Sequence, residues 1–260
     1  MALNIDLNGQ VAIITGASGG IGLGAARMLA KAGAFVAACA RESSPEWKQF
    51  ELEQLASGKP CLFTEIDITD DKSVRSFVQM TVQQFGGIHI LVSNAGANMF
   101  NGAADCEADL WQRNMDLNLK SHWMMSQCCK PYLEQSASGV IVIMTSNHAI
   151  ATIPGCFPYN VAKTALTGLV RSLAVEWGPS IRTVGIAPGF IDTPGNDAWF
   201  QSFPDPQTER EQTVQRHPVG RLGTPEEIGA FCAFLASSYA SFASGCTYVV
   251  DGGRTALLQD

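Results

Sequence analysis

Short apolar runs alternate with longer amphipathic stretches along the 260 residues of this chain, and that alternation leaves few folds open. VAIIT at 11–15, AFVAACA at 34–40, CLFTEID at 61–67, IHILVS at 88–93, GVIVIMT at 139–145, residues 181–187 and TYVV at 247–250 read as strands. Helical patterns fall between them: from Gly20 to about Lys31, near 71–85, from about 108 to 135, and over 157–177. Pro131 is expected to kink or end the third, and Gly178-Pro179 stops the fourth. Thr224-Pro225-Glu226-Glu227 opens a further helix, with Thr as cap, Pro first inside and Glu three after the cap. Strands that alternate with helices imply a parallel sheet covered on both faces, an α/β fold. The length, with 46% hydrophobic and 16% charged residues, suits one domain spanning 1–260. Residues 192–216, rich in Pro, Asp and Gln, read as irregular and too long for an ordinary connection, so they are a candidate substrate lid.

TGASGGIG at 15–22 lies between the first strand and the first helix. Gly16, Gly20 and Gly22 let the backbone turn tightly and approach a pyrophosphate, and the helix N-terminus adds N–H groups and partial positive charge. Ser18 and Ile21 lie in the same loop and are candidate cofactor contacts. A glycine-rich turn that binds nothing is the competing reading. The end of the second strand should read the ribose, where an acidic residue would hold a free 2′-hydroxyl. Here Ala40 is followed by Arg41, which favours NADP and leaves NAD possible; a solvated surface arginine is the alternative. Gly19 brings no second basic side chain.

Tyr159 and Lys163 are four apart on one predicted helix and share a face, and Ser146 stands thirteen residues before the tyrosine. An ammonium beside a phenol favours the phenolate, so Lys163 is expected to lower the Tyr159 pKa from about 10 and make a general base. That spacing alone also arises by chance.

A net charge of −7 argues against a nucleic-acid footprint. No apolar run approaches membrane-spanning length and no basic-then-apolar leader opens the chain, so a soluble, cytoplasmic protein is expected. The eight cysteines contain no Cys-x-x-Cys pair and read as reduced thiols; no metal site is expected.

From end to end the chain resembles the short-chain dehydrogenase/reductases. The resemblance rests on Thr15-Gly16-x-x-x-Gly20-x-Gly22, Asp67-Ile68, Asn94-Ala95-Gly96, Asn118, Ser146, Tyr159-x-x-x-Lys163, Pro188-Gly189 and Asp251-Gly252-Gly253, in that order. It implies a Rossmann-type doubly wound sheet and hydride transfer between a nicotinamide cofactor and a secondary alcohol or carbonyl. By the same resemblance Tyr159 is the acid/base, Ser146 bonds the reacting oxygen, and Lys163 depresses the tyrosine pKa and grips the nicotinamide ribose. Asn118 holds a water linking Lys163 to solvent. Asp67 and Ile68 touch adenine, Asn94, Ala95 and Gly96 line the cofactor, and Ile191 and Thr193, after Pro188-Gly189, hold the carboxamide. A homotetramer paired through the helices of Asn118 and Tyr159 is implied. Two departures, Ser93 for a usual asparagine and Thr183-Val184 for Val-Asn, are expected to bring local repacking and no loss of chemistry.

Substrate class rests on weaker likenesses. Ser146-Asn147-His148 resembles a Ser-x-His stretch of glucose dehydrogenases, and TPGNDAWFQSFPDPQTERE and VVDGGRTALLQD resemble aldose dehydrogenases of L-fucose and glucose type. Asn98, Asn147, His148 and Trp199 are candidate hydroxyl-binding and stacking groups; His148 and Trp199 read equally as lid packing. A sugar or polyol dehydrogenase leads. A reductase of oxoacyl, steroid or other apolar carbonyls follows, and a redox-sensing binding module without turnover is the reading from outside enzymology.

Overall fold

A computed structural model describes residues 4–257; the last three residues of the C-terminal ending, 258–260, lie outside it, as do 1–3. Seven parallel strands form the main sheet: β1 Val11–Thr15, β2 Phe35–Ala40, β3 Leu62–Glu65, β4 Ile90–Ser93, β6 Val140–Met144, β8 Arg182–Pro188 and β9 Thr247–Val250. Their order is β3-β2-β1-β4-β6-β8-β9. The chain runs outward from β1 through β2 to β3, then returns to set β4 on the other side of β1. At such a reversal the loops after the two central strands diverge and open a crevice at their carboxyl ends.

Helices cover both faces. α1 Gly20–Lys31, α2 Pro45–Ala56 and α9 Pro225–Ala236 pack on one, with Leu29, Trp47, Phe50 and Ile228 buried there. α3 Asp71–Phe85, α5 Ser121–Leu133 and α6 Tyr159–Trp177 pack on the other, burying Phe77, Met125 and Leu166. α1 and α9 meet backbone to backbone: a Cβ on Gly24 would stand 2.4 Å from the Pro225 carbonyl, and one on Gly229 2.3 Å from the Gly24 oxygen.

Four corrections to the sequence reading matter for the site. The stretch 192–216 is not irregular; it folds into α7 Pro194–Phe200 and α8 Pro206–Gln215. Their start signals are Thr193-Pro194 and Asp205-Pro206, where the Thr or Asp side chain accepts a backbone N–H and Pro opens the helix. Ser44-Pro45 opens the overlooked α2 in the same way. The helix expected over 108–135 is α4 Ala108–Met115, a π turn over Asp116–Lys120, then α5, with Pro131 inside its last turn. The helix expected from 157 starts at Tyr159, because β7 Phe157–Pro158 pairs antiparallel with β5 Phe100–Asn101.

Candidate active site

The carboxyl ends of the central strands open into one continuous cleft of about 1690 Å³. Every expected site residue lines it except Asn118. The glycine loop forms one wall. Gly16 takes φ +67°, and a Cβ there would lie 2.8 Å from the Ala95 Cα; one on Gly22 would lie 2.2 Å from the Gly16 oxygen. The Thr15 hydroxyl accepts the N–H groups of Asn94 and Ala95, both at 2.9 Å, and the Asn94 amide donates to the Thr15 oxygen at 2.9 Å. These bonds tie the β4 loop to the glycine loop.

The residues present fit a dinucleotide. α2, α3 and α9 each begin with a side-chain cap and an acidic first turn. α1 begins with extended Gly19, no side-chain cap and no acid. Its first N–H groups and the positive end of its dipole therefore face the cleft without a protein anion. Ser18, Ile21 and Gly20 lie here, and Thr193 packs over Gly20, its methyl 3.3 Å from where a Cβ would stand. Ser44, which sequence reasoning missed, donates to the Ser18 oxygen and caps α2. At the far end stand Arg41, Glu42, Asp67 and Ile68. Arg41 is exposed and makes no ion pair among the described residues. One Asp67 oxygen accepts from Thr69, turning the chain so that Ile68 is buried. Pro188, Gly189 and Ile191 form the wall after β8.

Ser146, Tyr159 and Lys163 meet at the middle of the cleft. Ser146 follows β6 and Tyr159 opens α6, so the loop between them folds back to bring both side chains together. Tyr159 and Lys163 are 9% and 4% exposed. That burial corrects the expected pKa logic. Desolvation pushes the Tyr159 phenol up to about 12, opposed by a hydrogen bond from Ser146. Desolvation likewise pushes Lys163 down to about 8. The ammonium lies 5.6 Å from the centre of the Tyr159 ring and donates to the Met144 oxygen at 3.0 Å. In this arrangement removal from water is the main cause of both shifts, and neither group is among the causes of the other's.

Asn118 is fully buried in the π turn, behind the cleft wall. Its oxygen accepts the Ala97 N–H at 3.0 Å, and its amide donates to the Ala97 oxygen and to Asn114, both at 2.9 Å. A Cβ on Gly96 would be 2.7 Å from the Asn118 oxygen and 3.5 Å from the Lys163 nitrogen. Only a residue without a side chain fits between them. The Asn118 side chain is thus committed to the loop after β4.

Asn98, Asn147, His148 and Trp199 line the same cleft. The His148 ring stands edge-on to Tyr159 with centres 6.1 Å apart and bonds Thr152 at 3.1 Å. Phe100, brought in by the β5–β7 pair, stands edge-on to the same tyrosine at 5.3 Å. Trp199 packs on Phe190, Phe200 and Phe203 while lining the cleft. Arg210 pins this region by pairing with Asp192 and lying 5.4 Å over the Phe200 ring.

Residues 16–255 match the family model described as enoyl-(acyl carrier protein) reductase. Dehydrogenase/reductase SDR family member 4 of Oryctolagus cuniculus is 35% identical over 254 residues, covering 97% of this chain and 96% of that protein. The chain belongs to the short-chain dehydrogenase/reductase family. Oxidoreductase UcpA of Escherichia coli K12 is also 35% identical, over 96% of this chain and 95% of its own. The ligand-free aldohexose dehydrogenase of Thermoplasma acidophilum superposes with a TM-score of 0.90 at 29% identity, covering 99% of this chain and 98% of that one. As a short-chain dehydrogenase/reductase, the protein is an NAD(P)-dependent oxidoreductase.

Both departures from the family pattern are buried in the sheet. Ser93 bonds His122 Nδ1 at 2.8 Å, and burial, reinforced by the Lys163 charge, pushes that histidine down to about 3. Thr183 is fully buried and its hydroxyl has no partner among the described residues. All eight cysteines are free. No helix among the described residues is long and apolar enough to cross a membrane.

Proposed function

We propose that this enzyme moves hydride between NAD(P) and the carbinol carbon of a sugar or polyol, with Tyr159 as the acid/base. The convergence of Ser146, Tyr159 and Lys163 beside the open helix N-terminus carries the reading. When bound, the dinucleotide supplies the hydride acceptor or donor and, oxidised, a positive charge. The chain's own residues handle the proton. In reduction the neutral Tyr159 phenol donates to the carbonyl oxygen; in oxidation its phenolate takes the hydroxyl proton. Ser146 holds that oxygen in line. Lys163 holds the nicotinamide ribose, and Asn118 acts as a positioning residue through Ala97.

In the same reading the glycine loop holds the pyrophosphate. Asp67 and Ile68 flank the adenine, and Asn94, Ala95 and Gly96 line the path to Lys163. Pro188, Gly189, Ile191 and Thr193 receive the carboxamide. Arg41 favours the 2′-phosphate of NADP. The domain is 1–260, with 192–216 as a helical lid whose Thr193 already reaches Gly20. The polar groups Asn98, Asn147 and His148, the Trp199 face, and the likeness to an aldohexose dehydrogenase support a sugar or polyol. A second reading, reduction of an apolar ketone, draws on Phe100, Phe190 and Phe203 in the same cleft. A cytoplasmic homotetramer completes the proposal, supported by exposed Trp111, Trp123 and Val175 on α4, α5 and α6.

The test follows reduced-nicotinamide absorbance with both cofactors against aldoses, polyols, simple ketones and oxoacyl esters. Turnover of polyhydroxylated substrates well above the apolar ketones is expected. The reverse order would replace this reading with the second.

A further inference from the structure

The charge at the substrate end of the cleft is uneven in a way that the neutral-sugar reading does not use. Between 144 and 163 and beyond 188, the charged side chains that line the cleft are Lys163, Arg216 and Arg254, with no Asp or Glu. The chain as a whole carries −7, so this local excess of cationic groups is not a background property. The carboxylates of the cleft lie elsewhere: Glu42 and Asp67 with Arg41, and Asp116 with Arg113.

Two segments packed against each other deliver the arginines. Arg216 caps the end of α8, and His217, Pro218 and Val219 follow. The Val219 N–H donates to the Gly252 oxygen at 3.2 Å. Gly252 and Gly253, at φ +61° and +82°, fit under these side chains: a Cβ on Gly252 would be 2.7 Å from Val219, and one on Gly253 3.0 Å from Pro218. The next residue is Arg254. Asp251 makes no direct ion pair with it: its oxygens accept the Gly253 and Thr255 N–H groups and the Thr255 hydroxyl at 2.7–3.0 Å, and its charge acts on Arg254 only from a distance. That carboxylate builds the turn on which Arg254 is presented. Arg254 makes no ion pair among the described residues. Arg216 has Glu209 at 3.4 Å and Gln212 at 3.5 Å. Burial, and then the neighbouring Arg216 charge, push Arg254 down from the ordinary arginine value. The Arg254 charge also reaches His148, which packs on Tyr159.

A second observation points the same way. His217 is 3% exposed and lines the cleft. Its Nδ1 lies 2.7 Å from the Thr213 oxygen and must carry a hydrogen to bond it. Its Nε2 is buried and has no partner among the described residues. Buried polar atoms are normally paired, and this one belongs to a residue that lines the same cleft as the arginines, able to accept from a hydroxyl.

We propose that Arg254, with Arg216, seats an anionic oxyacid group of the substrate, so that the enzyme acts on an acidic polyhydroxy compound, a hydroxy acid or its oxo form, in preference to a neutral sugar. The guanidinium forks match a carboxylate or phosphate edge, and His217 Nε2 is placed to meet a hydroxyl next to it. The proposal rests on the polyol reading for the reacting end and supplies the specificity for the other.

The test compares D-glucitol, D-gluconate and D-glucose 6-phosphate as neutral, carboxylate and phosphate probes, by turnover and by calorimetric binding to the cofactor-saturated Tyr159→Phe variant. Arg254→Gln should lower the acid-to-neutral ratio of kcat/KM or affinity by about tenfold or more, the scale of one charge-assisted bond. Arg254→Lys should keep part of it, and the distant Arg75→Gln should keep all of it. The larger loss identifies carboxylate or phosphate. If an acid binds through Arg254 but no polyol-type probe turns over, the anion seat stands and the polyol reading falls. If neither acid binds better than the neutral probe, or if Arg254→Gln leaves the ratio unchanged, the anion seat is wrong.

Discussion

Replacing Lys163 by methionine should make the protein more stable while impairing its chemistry. The side chain is 4% exposed, and burial pushes its pKa from 10.5 down to about 8. A depressed lysine pKa means that the folded state pays in free energy to keep the proton. A shift of that size is worth about 3 kcal/mol at pH 7, at roughly 1.36 kcal/mol per unit. Methionine loses the bond to the Met144 oxygen, at 3.0 Å, a loss of about 1 kcal/mol. The net gain is about 2 kcal/mol, or roughly 4–8 °C in Tm for a chain of this size. The sign of the pH dependence is distinctive. Between pH 8 and 10.5 the unfolded chain holds the proton and the folded chain does not, so wild-type stability rises with pH. The advantage of Lys163→Met is therefore complete below pH 8 and should fall by about 2 kcal/mol between pH 7 and 9.5. Tyr159, pushed up to about 12, is present in both chains and largely cancels. Urea unfolding followed by circular dichroism at the two pH values measures the difference. A variant less stable than wild type at pH 7, or an advantage independent of pH, would refute the reasoning that burial dominates this lysine.

Tyr159→Phe should lower turnover by at least about 10²-fold, the range of general acid–base catalysis, with cofactor affinity by fluorescence titration little changed. Retained turnover would remove Tyr159 from its role. Arg41→Ala should weaken NADP by about 10- to 150-fold relative to NAD at fixed ionic strength, the range of one charge-assisted bond. An unchanged ratio of kcat/KM for the two cofactors would assign the preference elsewhere. Arg210→Ala removes the tie between α8, Asp192 and the Phe200 ring. Backbone hydrogen exchange over 192–216 should then speed up and the KM for substrate rise; unchanged exchange would show that the aromatic cluster alone holds the lid.

Local chemistry determined a large part of this protein. The β/α alternation specified the sheet, because a strand apolar on both faces must be covered twice. The Gly16-to-Gly22 spacing and the Tyr159–Lys163 interval specified the site, because both act through backbone geometry within one or two turns. The cap-and-proline pairs at Thr193 and Asp205 would have revealed the lid helices too; they carry the same signal as Thr224-Pro225, hidden under a polar composition. Other features could be decided only by packing across the chain. Asn118 lies behind Gly96 because a π turn rotates it there, and no helical periodicity anticipates that rotation. The pKa balance of Tyr159 and Lys163 follows from how much protein surrounds them, a quantity summed over β6, α6 and the loops above. The juxtaposition of Arg216 with Arg254, 38 residues apart in sequence, depends on two glycines with positive φ fitting under His217, Pro218 and Val219. Short-range signals set elements and motifs; burial and charge at the cleft arise only where distant segments exclude water together.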